Sequence, residues 1–121
     1  MIQKIKHGDV WLANLNPSRD TEAGKYRPVL IIQNQTLLDV NHPSTLIIPL
    51  TSKLIDHAEP LRLRIKARDK LKKDSDLLID QIRSIDNKRL IEGPLASYPS
   101  TLMLRVYEAV NEVMGMEIEE N

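Results

Sequence analysis

The segment from Leu61 to Lys66 alternates strictly between apolar and basic side chains. A side-chain period of two indicates a β-strand, because successive side chains point to opposite faces of a sheet. Such a strand needs an apolar layer on one face and water on the other. The pattern therefore predicts a half-buried strand, with Leu61, Leu63 and Ile65 facing the core and Arg62, Arg64 and Lys66 facing outward.

Short apolar runs bounded by turn-forming residues continue along most of the chain. Proline, glycine, asparagine and aspartate separate them, and runs of this length between turn residues are typical of strands. The run from Thr45 to Leu50 is unbroken and predicts burial on both faces, while Pro49 within it indicates an edge or a bulge. Further strands are predicted over residues 10–15, 29–33 and 90–96, with one or two more over residues 76–85.

The last element is predicted to be a helix at about residues 100–115. Ser100 is a favourable N-cap and Gly115 a plausible stop. Between them, apolar residues recur at helical spacing and form one stripe: Leu102, Val106, Ala109, Val110 and Val113. Strands followed by one amphipathic helix predict a mainly-β fold with a C-terminal helix, in which the helix packs on a small antiparallel barrel or curled sheet.

Length and composition limit the class of protein. A chain of 121 residues is predicted to form one domain, residues 1–121, with an acidic tail at residues 116–121. The absence of cysteine excludes disulfides, thiolate metal sites and cysteine nucleophiles. The apolar runs are too short to span a bilayer, and the first residues lack the apolar core of a signal peptide. We therefore expect a cytoplasmic protein with no membrane partner.

The charge is balanced in sum but not in distribution. The formal net charge is +0, with 17 basic and 17 acidic residues, which by itself does not favour a nucleic-acid partner. Residues 62–73 are nevertheless strongly basic and the C-terminal end is acidic. This basic segment either guides a phosphate backbone or is a solvated strand and turn, and both readings stay open.

A metal or cofactor site is not expected. His7, His42 and His57 lie far apart and have no partner at a metal-ligand spacing. The aspartates at positions 74, 76 and 80 lack the pattern of a calcium loop. No glycine-rich phosphate loop is present, so the chain is predicted to work without a metal or other cofactor.

Two polar residues stand at the ends of predicted strands. Arg27 directly precedes one strand and Thr51 directly follows another, so in antiparallel neighbours they can lie side by side. A guanidinium binds two phosphate oxygens through its planar fork, and a threonine hydroxyl can donate to a third. Such a clamp suits a pentacoordinate phosphate, whose equatorial oxygens carry charge. The alternative is that Arg27 pairs with Glu22 and that Thr51 is a turn residue.

Three blocks around these residues resemble the MazF/PemK family of bacterial toxin endoribonucleases. The first is HGDVWLANLNPSRDTEAGKYRPVLIIQN, residues 7–34, which is similar to the family's opening G-D-V/I segment and to its segment of a glutamate and a glycine before R-P. The second is LIIPLTS, residues 46–52, an apolar strand that ends in threonine. The third is LKKDSDLLIDQIRSIDNKRL, residues 71–90, with its D-Q-I-R-S-I-D segment.

The resemblance implies a fold, an activity and partners. Members are small homodimers with an SH3-like or CcdB-like barrel and a C-terminal helix, and they cleave single-stranded RNA, usually mRNA, without a metal. The cut leaves a 2′,3′-cyclic phosphate and a 5′-hydroxyl. Arg27, Thr51 and Glu22 match the family's catalytic positions. A cognate antitoxin with a disordered, acidic C-terminal segment is the expected protein partner.

The residues expected to contact RNA surround this pair. Tyr26, Trp11 and the loop from Pro17 to Lys25 are candidate walls of a groove for unstacked bases, although a core position is favoured for Trp11. The candidate RNA-binding residues are Pro17, Thr21, Lys25, Tyr26, Ser52, Asp80 and Gln81, of which the last two match the family's base-reading pair. Two alternatives remain: a CcdB-like toxin directed at gyrase, and a non-catalytic module that binds RNA or antitoxin.

Overall fold

A computed structural model describes residues 4–17, 20–22 and 24–116 of the chain. Seven strands and two α-helices follow one another in the described residues. They are β1 (Asp9–Asn14), β2 (Tyr26–Ile31), α1 (Gln35–Asp39), β3 (Ser44–Thr51), β4 (Arg62–Ile65), β5 (Ser75–Leu78), β6 (Arg83–Asp86), β7 (Leu90–Ser97) and α2 (Ser100–Val113). Short 3-10 turns at Ile79–Gln81 and Asn87–Arg89 flank β6.

The strands form one antiparallel sheet in the order β4-β5-β3-β2-β1-β7. Strand β3 pairs with β2 along one side, while its other side pairs first with β6 and then with β5. Pro49 lies where this second neighbour changes, between the pair Ile47–Arg83 and the pair Leu50–Leu77. Of the two expectations for Pro49, an edge or a bulge, the edge was wrong, because β3 is central. The missing N–H of Pro49 falls where β3 changes partners.

The apolar core has two parts, one on each face of the sheet. The first part contains Leu30, Ile48 and Leu50 and is covered by α2 through Met103 and Val106. The second is built around Trp11, Ile31, Ile47 and the helix α1 residue Leu38. The core position favoured for Trp11 is confirmed. Its ring lies against Gly93, where an added Cβ would come within 2.3 Å of Trp11 Cδ2, so β7 needs a glycine there.

Helix α2 confirms the predicted C-terminal helix and corrects its cap. Met103, Val106 and Ala109 are its buried residues, and Met103 was missing from the predicted stripe. Pro99, not Ser100, is the N-cap residue, and no side chain caps the helix start. The helix ends at Val113, and Gly115 follows with a φ of 74°. The predicted acidic tail lies outside the described residues, apart from Met116.

The predicted mainly-β fold with a C-terminal helix is confirmed, with local differences. Residues 34–44, for which no helix or strand was predicted, contain α1, whose start is capped by the Asn34 side chain. Leu61 is half exposed because β4 begins at Arg62, so its predicted burial was wrong. Strand β7 runs through Gly93 and Pro94 without interruption. Within the described residues, no helix has the length and hydropathy needed to cross a membrane.

Candidate active site

Arg27 lies inside β2, which begins one residue earlier at Tyr26, so its predicted place just before the strand was wrong. Its Nε donates to the Gly24 carbonyl at 2.8 Å and its Nη1 donates to the Leu50 carbonyl at 3.2 Å. A guanidinium has five N–H donors, so these two bonds leave others for a ligand. Arg27 is thereby anchored to both the preceding loop and the neighbouring strand by neutral acceptors.

Thr51 is the last residue of β3 and is buried. Its Oγ1 accepts a hydrogen bond from the Lys53 backbone N–H at 3.2 Å. Because a hydroxyl both donates and accepts, this bond leaves the Thr51 O–H able to donate to an oxygen of a ligand.

The register of β2 and β3 brings Arg27 and Thr51 level with each other. Val29 pairs with Pro49, and two further steps along the antiparallel ladder lead to Arg27 on one strand and Thr51 on the other. Residues two apart in a strand point to the same face of the sheet. The Arg27 and Thr51 side chains therefore lie on the same face as Val29 and Pro49. The bond from Arg27 to the Leu50 carbonyl confirms that the two strand ends are in contact.

The loop before β2 is held against the 3-10 turn that follows β5. Gln81 Nε2 donates to the Thr21 carbonyl at 3.2 Å. Glu22 Oε2 lies 3.9 Å from Arg83 Nη1. In the described part of the chain, the ion pair of Glu22 is therefore with Arg83, while Arg27 bonds to carbonyls. The alternative of an Arg27–Glu22 pair does not describe the structure.

The other candidate RNA contacts are mostly exposed. Lys25 has a φ of 66°, and its N–H donates to Asn16 Oδ1 at 2.7 Å, which fixes the end of the loop. Gln81 is the last residue of the 3-10 turn and is half-buried. The remaining candidates are all exposed: Pro17, Thr21, Lys25, Tyr26, Ser52 and Asp80.

A buried carboxylate next to Thr51 was missed by the sequence analysis. Asp76 pairs with Thr51 across β3 and β5 and is 1% exposed. Its Oδ1 accepts from Arg64 Nε at 2.6 Å, and its Oδ2 accepts from Arg62 Nη1 at 3.2 Å and from the Ile55 N–H at 3.0 Å. The alternation of residues 61–66 can be read from the sequence. The pairing of β4 with β5, which places both arginines beside Asp76, cannot.

The electrostatics of Asp76 follow from these contacts. Burial raises the pKa of Asp76, but hydrogen bonds from Arg64, the Ile55 N–H and Arg62 outweigh burial and leave the pKa below its usual value. The side-chain hydrogen bonds to Asp76 and Asp56 in turn raise the pKa of Arg64. Asp76 is therefore a carboxylate in the native protein at neutral pH.

The basic segment is only partly free of internal partners. Arg62 and Arg64 face away from the buried side of β4, as predicted. Both are nevertheless half-buried and bound to Asp76. Arg68 lies over the Tyr98 ring at 5.1 Å from its centroid and donates to the Ser97 carbonyl. Arg68 remains exposed, as do the lysines at positions 66, 70, 72 and 73.

Neither a metal cluster nor a deep pocket coincides with the Arg27 site. Among residues 4–17, 20–22 and 24–116, no three His, Asp or Glu side chains are grouped so that they could hold a metal ion. A cleft of about 860 Å³ lies elsewhere, lined by Trp11, Leu38, Leu90, Ile91 and other residues. In the described chain, Arg27, Thr51 and Glu22 do not line this cleft.

Comparison with known proteins identifies the family. Residues 6–114 match the model of the PemK-like, MazF-like toxins of type II toxin–antitoxin systems. The chain belongs to this family. It is 37% identical over 113 residues to a protein named endoribonuclease MazF from Staphylococcus epidermidis, which covers 93% of this chain and 92% of that relative.

Solved structures of family members share the fold. The crystal structure of MazF from Deinococcus radiodurans is similar, with a TM-score of 0.77 at 22% identity, covering 95% of this chain and 100% of the other. A mycobacterial endoribonuclease solved in complex with its cognate antitoxin has a TM-score of 0.70 at 16% identity, covering 98% of this chain and all of the other. The MazF-like fold expected from the sequence is thus confirmed.

Proposed function

We propose that this chain is an endoribonuclease toxin that cleaves single-stranded RNA, in particular mRNA, at short sequences without a metal ion. The observation that carries the proposal is the Arg27–Thr51 site, where a cation held by neutral carbonyls stands level with a threonine hydroxyl. Membership of the family and the MazF relative named an endoribonuclease support the same reaction.

In the proposed reaction the nucleophile belongs to the substrate. The RNA 2′-oxygen attacks the adjacent phosphorus and loses its proton, the P–O5′ bond breaks, and the leaving 5′-oxygen gains a proton. The products are a 2′,3′-cyclic phosphate and a 5′-hydroxyl. The protein must hold the three groups in line and stabilise the charge that develops on the phosphorane.

Arg27 and Thr51 have the donors that this reaction needs. The unused N–H groups of Arg27 bind the equatorial phosphate oxygens, and the same guanidinium is the proposed proton donor to the leaving 5′-oxygen. The Thr51 hydroxyl binds the scissile phosphate. Both groups are fixed by backbone hydrogen bonds before the substrate arrives, so little reorganisation is needed during the reaction.

Glu22 is the proposed general base. A guanidinium is a poor base because it keeps its proton at any pH near neutral, whereas a carboxylate can accept the 2′-hydroxyl proton. Glu22 lies on the same loop as Gly24, whose carbonyl binds Arg27, and its side chain is accessible beside Arg83. Its role requires that bound RNA brings the 2′-hydroxyl to this loop.

The surface around the site suits an unstacked RNA strand. The exposed Tyr26 ring can stack on a base, and the Asp80 and Gln81 side chains have the donors and acceptors to read base edges. Pro17, Thr21, Lys25 and Ser52 complete the proposed contact surface. DNA is spared because it lacks the 2′-hydroxyl.

The proposed assembly is a homodimer silenced by an antitoxin. The solved relatives include MazF with MazE from Deinococcus radiodurans as well as the mycobacterial complex with its antitoxin. An acidic, disordered antitoxin segment would block RNA from Arg27 by occupying the same exposed surface.

The proposal is tested by incubating a long single-stranded RNA with the protein in EDTA. The wild type should cut it at one short motif, and Arg27→Ala should lower the cleavage rate by about 100-fold or more, because a transition-state donor is lost. Arg105→Ala is the matched control, since Arg105 is an exposed arginine on α2 that pairs with Glu59. A folded wild type that leaves RNA intact would contradict the proposal and favour the gyrase-directed or non-catalytic alternative.

A further inference from the structure

The segment after Thr51 has no regular structure, yet it is tied down along its length. Between Thr51 at the end of β3 and Arg62 at the start of β4, the chain forms bends and turns whose residues are mostly exposed. Exposed loops of this length are usually mobile unless side chains hold them. Here the side chains that hold the segment come from β4 and β5.

Asp76 is the centre of these ties. One of its oxygens accepts the Ile55 N–H at 3.0 Å, which fixes the loop directly. Both oxygens also hold an arginine in place, Arg62 at 3.2 Å and Arg64 at 2.6 Å. Each arginine then reaches the same loop with another contact.

The two arginines attach the loop at two further points. Arg62 Nη1 donates to the Lys53 carbonyl at 2.8 Å. Arg64 Nη1 donates to Asp56 Oδ1 at 2.9 Å. The Lys53 N–H in turn donates to the Thr51 hydroxyl oxygen. A continuous set of hydrogen bonds therefore runs from buried Asp76 through Arg62 and Lys53 to the hydroxyl of Thr51.

The contacts of Asp76 also determine what the two arginines do. Both bind a carboxylate, and Arg62 also binds a loop carbonyl, so they act on the protein's own loop and are not free cations for an RNA backbone. A buried ion pair with several partners is costly to break from one side, because a charge is left unpaired. The loop beside the candidate site is therefore attached through contacts that are costly to break.

We propose that Asp76 is a positioning residue for RNA cleavage: with Arg62 and Arg64 it holds residues 51–56 so that the Thr51 hydroxyl keeps its place level with Arg27. This inference rests on the proposed function of the Arg27–Thr51 site. Asp76 itself does not touch the substrate. Its effect on the reaction passes through the loop and the orientation of Thr51.

The test compares Asp76→Asn with Asp9→Asn. Both remove the charge of a buried aspartate with little change of shape, but Asp9 bonds to Ser97 Oγ at 2.6 Å, on β7 rather than on the loop. For Asp76→Asn we expect kcat to fall at least about tenfold with KM changed by less than about threefold, because a misplaced hydroxyl affects the transition state most. Asp9→Asn should keep the wild-type kcat, whatever its loss in Tm.

Two further measurements separate positioning from general stability. Hydrogen exchange should show the Ile55 amide protected in the wild type and in Asp9→Asn but not in Asp76→Asn. In a Thr51→Val background, Asp76→Asn should lower kcat no further, because the group through which it acts is already gone. Arg64→Lys is a milder variant that keeps the charge and loses the fork, and it should lower kcat by a smaller factor.

The outcomes distinguish this inference from the proposed function. A wild-type protein that does not cut RNA contradicts the proposed function and removes the basis of the inference. Cleavage by the wild type together with unchanged kcat in both Asp76→Asn and Arg64→Lys contradicts the inference alone. The inference is also overturned if Asp9→Asn lowers kcat as much as Asp76→Asn does. It is overturned as well if Asp76→Asn lowers kcat by the same factor in the Thr51→Val background as in the wild type.

Discussion

At the scale of single residues, what matters is the kind of acceptor each arginine has. Arg27 donates to the carbonyls of Gly24 and Leu50, which fix its direction, and no carboxylate among the described residues pairs with it. Arg62 and Arg64 share the carboxylate of Asp76, and Arg64 has a second carboxylate partner in Asp56, so their charges are balanced inside the protein. We therefore expect an anionic ligand to bind at Arg27 rather than at the more strongly basic strand β4.

The hydroxyl of Thr51 gives a prediction at this scale. Thr51→Val keeps the shape of the side chain and removes the donor, so kcat for RNA cleavage should fall by about 100-fold, while Thr51→Ser should stay within about tenfold of the wild type. Stability should fall by about 1 kcal/mol because the Lys53 N–H loses its acceptor. Steady-state cleavage and urea unfolding measure the two effects.

The control for this substitution lies on the same strand. Thr45 is buried at the other end of β3 and donates its hydroxyl to Asn87 Oδ1 at 2.6 Å. Thr45→Val should also lower stability, but it should leave kcat unchanged. If both valine variants retained wild-type kcat, Thr51 would have no part in binding the phosphate.

At the scale of elements, β3 organises the site. Its first half pairs with β6 and its last residues pair with β5, so the change of neighbour at Pro49 leads Thr51 away from β6 and toward Asp76. On the other side, β2 runs antiparallel to β3 and brings Arg27 to the Leu50 carbonyl. The site thus exists because the start of β2 and the end of β3 lie side by side, next to the β4–β5 pair.

The β4–β5 pair gives a pH prediction. The pKa of Asp76 is lower in the folded chain than its unfolded value of about 3.9, so its contribution to stability is present above that pH and is lost as the pH falls through the folded pKa. Asp76→Asn should therefore destabilise the protein at pH 7, by about 3 kcal/mol for a broken buried pair. Below about pH 4 the difference in unfolding free energy between the variant and the wild type should become smaller.

Urea unfolding of the wild type and Asp76→Asn at pH 7, 5 and 3 measures this gap. Trp11 is the only tryptophan in the chain and lies in the core, so its fluorescence follows unfolding. A difference in unfolding free energy that stays constant from pH 7 to pH 3 would contradict the assigned ion pairs.

At the scale of the whole molecule, the sequence predicted the sheet better than the site. The strands and α2 followed from side-chain periodicity, which depends on neighbours along the chain. Helix α1 was missed because its five residues are too few for a periodic signal. Leu61 and Pro49 were misjudged because their surroundings depend on where β4 begins and where β3 changes partners, and both are set by tertiary pairing.

The site was predictable only in part for the same reason. Arg27 and Thr51 were found because both stand at strand ends in recognisable blocks of sequence. Asp76 was considered only as a metal ligand, since nothing local shows that it faces Arg62 and Arg64 across the β4–β5 pair. Long-range ion pairs of this kind need the register of two strands, which a single sequence does not contain.

The central claim is that this protein uses the 2′-hydroxyl of RNA as the nucleophile. The most direct measurement compares two otherwise identical RNA strands in EDTA, one unmodified and one with a single 2′-deoxy nucleotide immediately 5′ of the scissile phosphate, and identifies the product ends by mass spectrometry. We expect a 2′,3′-cyclic phosphate and a 5′-hydroxyl from the first strand and no cut at that site in the second. Cleavage of the 2′-deoxy strand at that position would contradict a 2′-hydroxyl nucleophile.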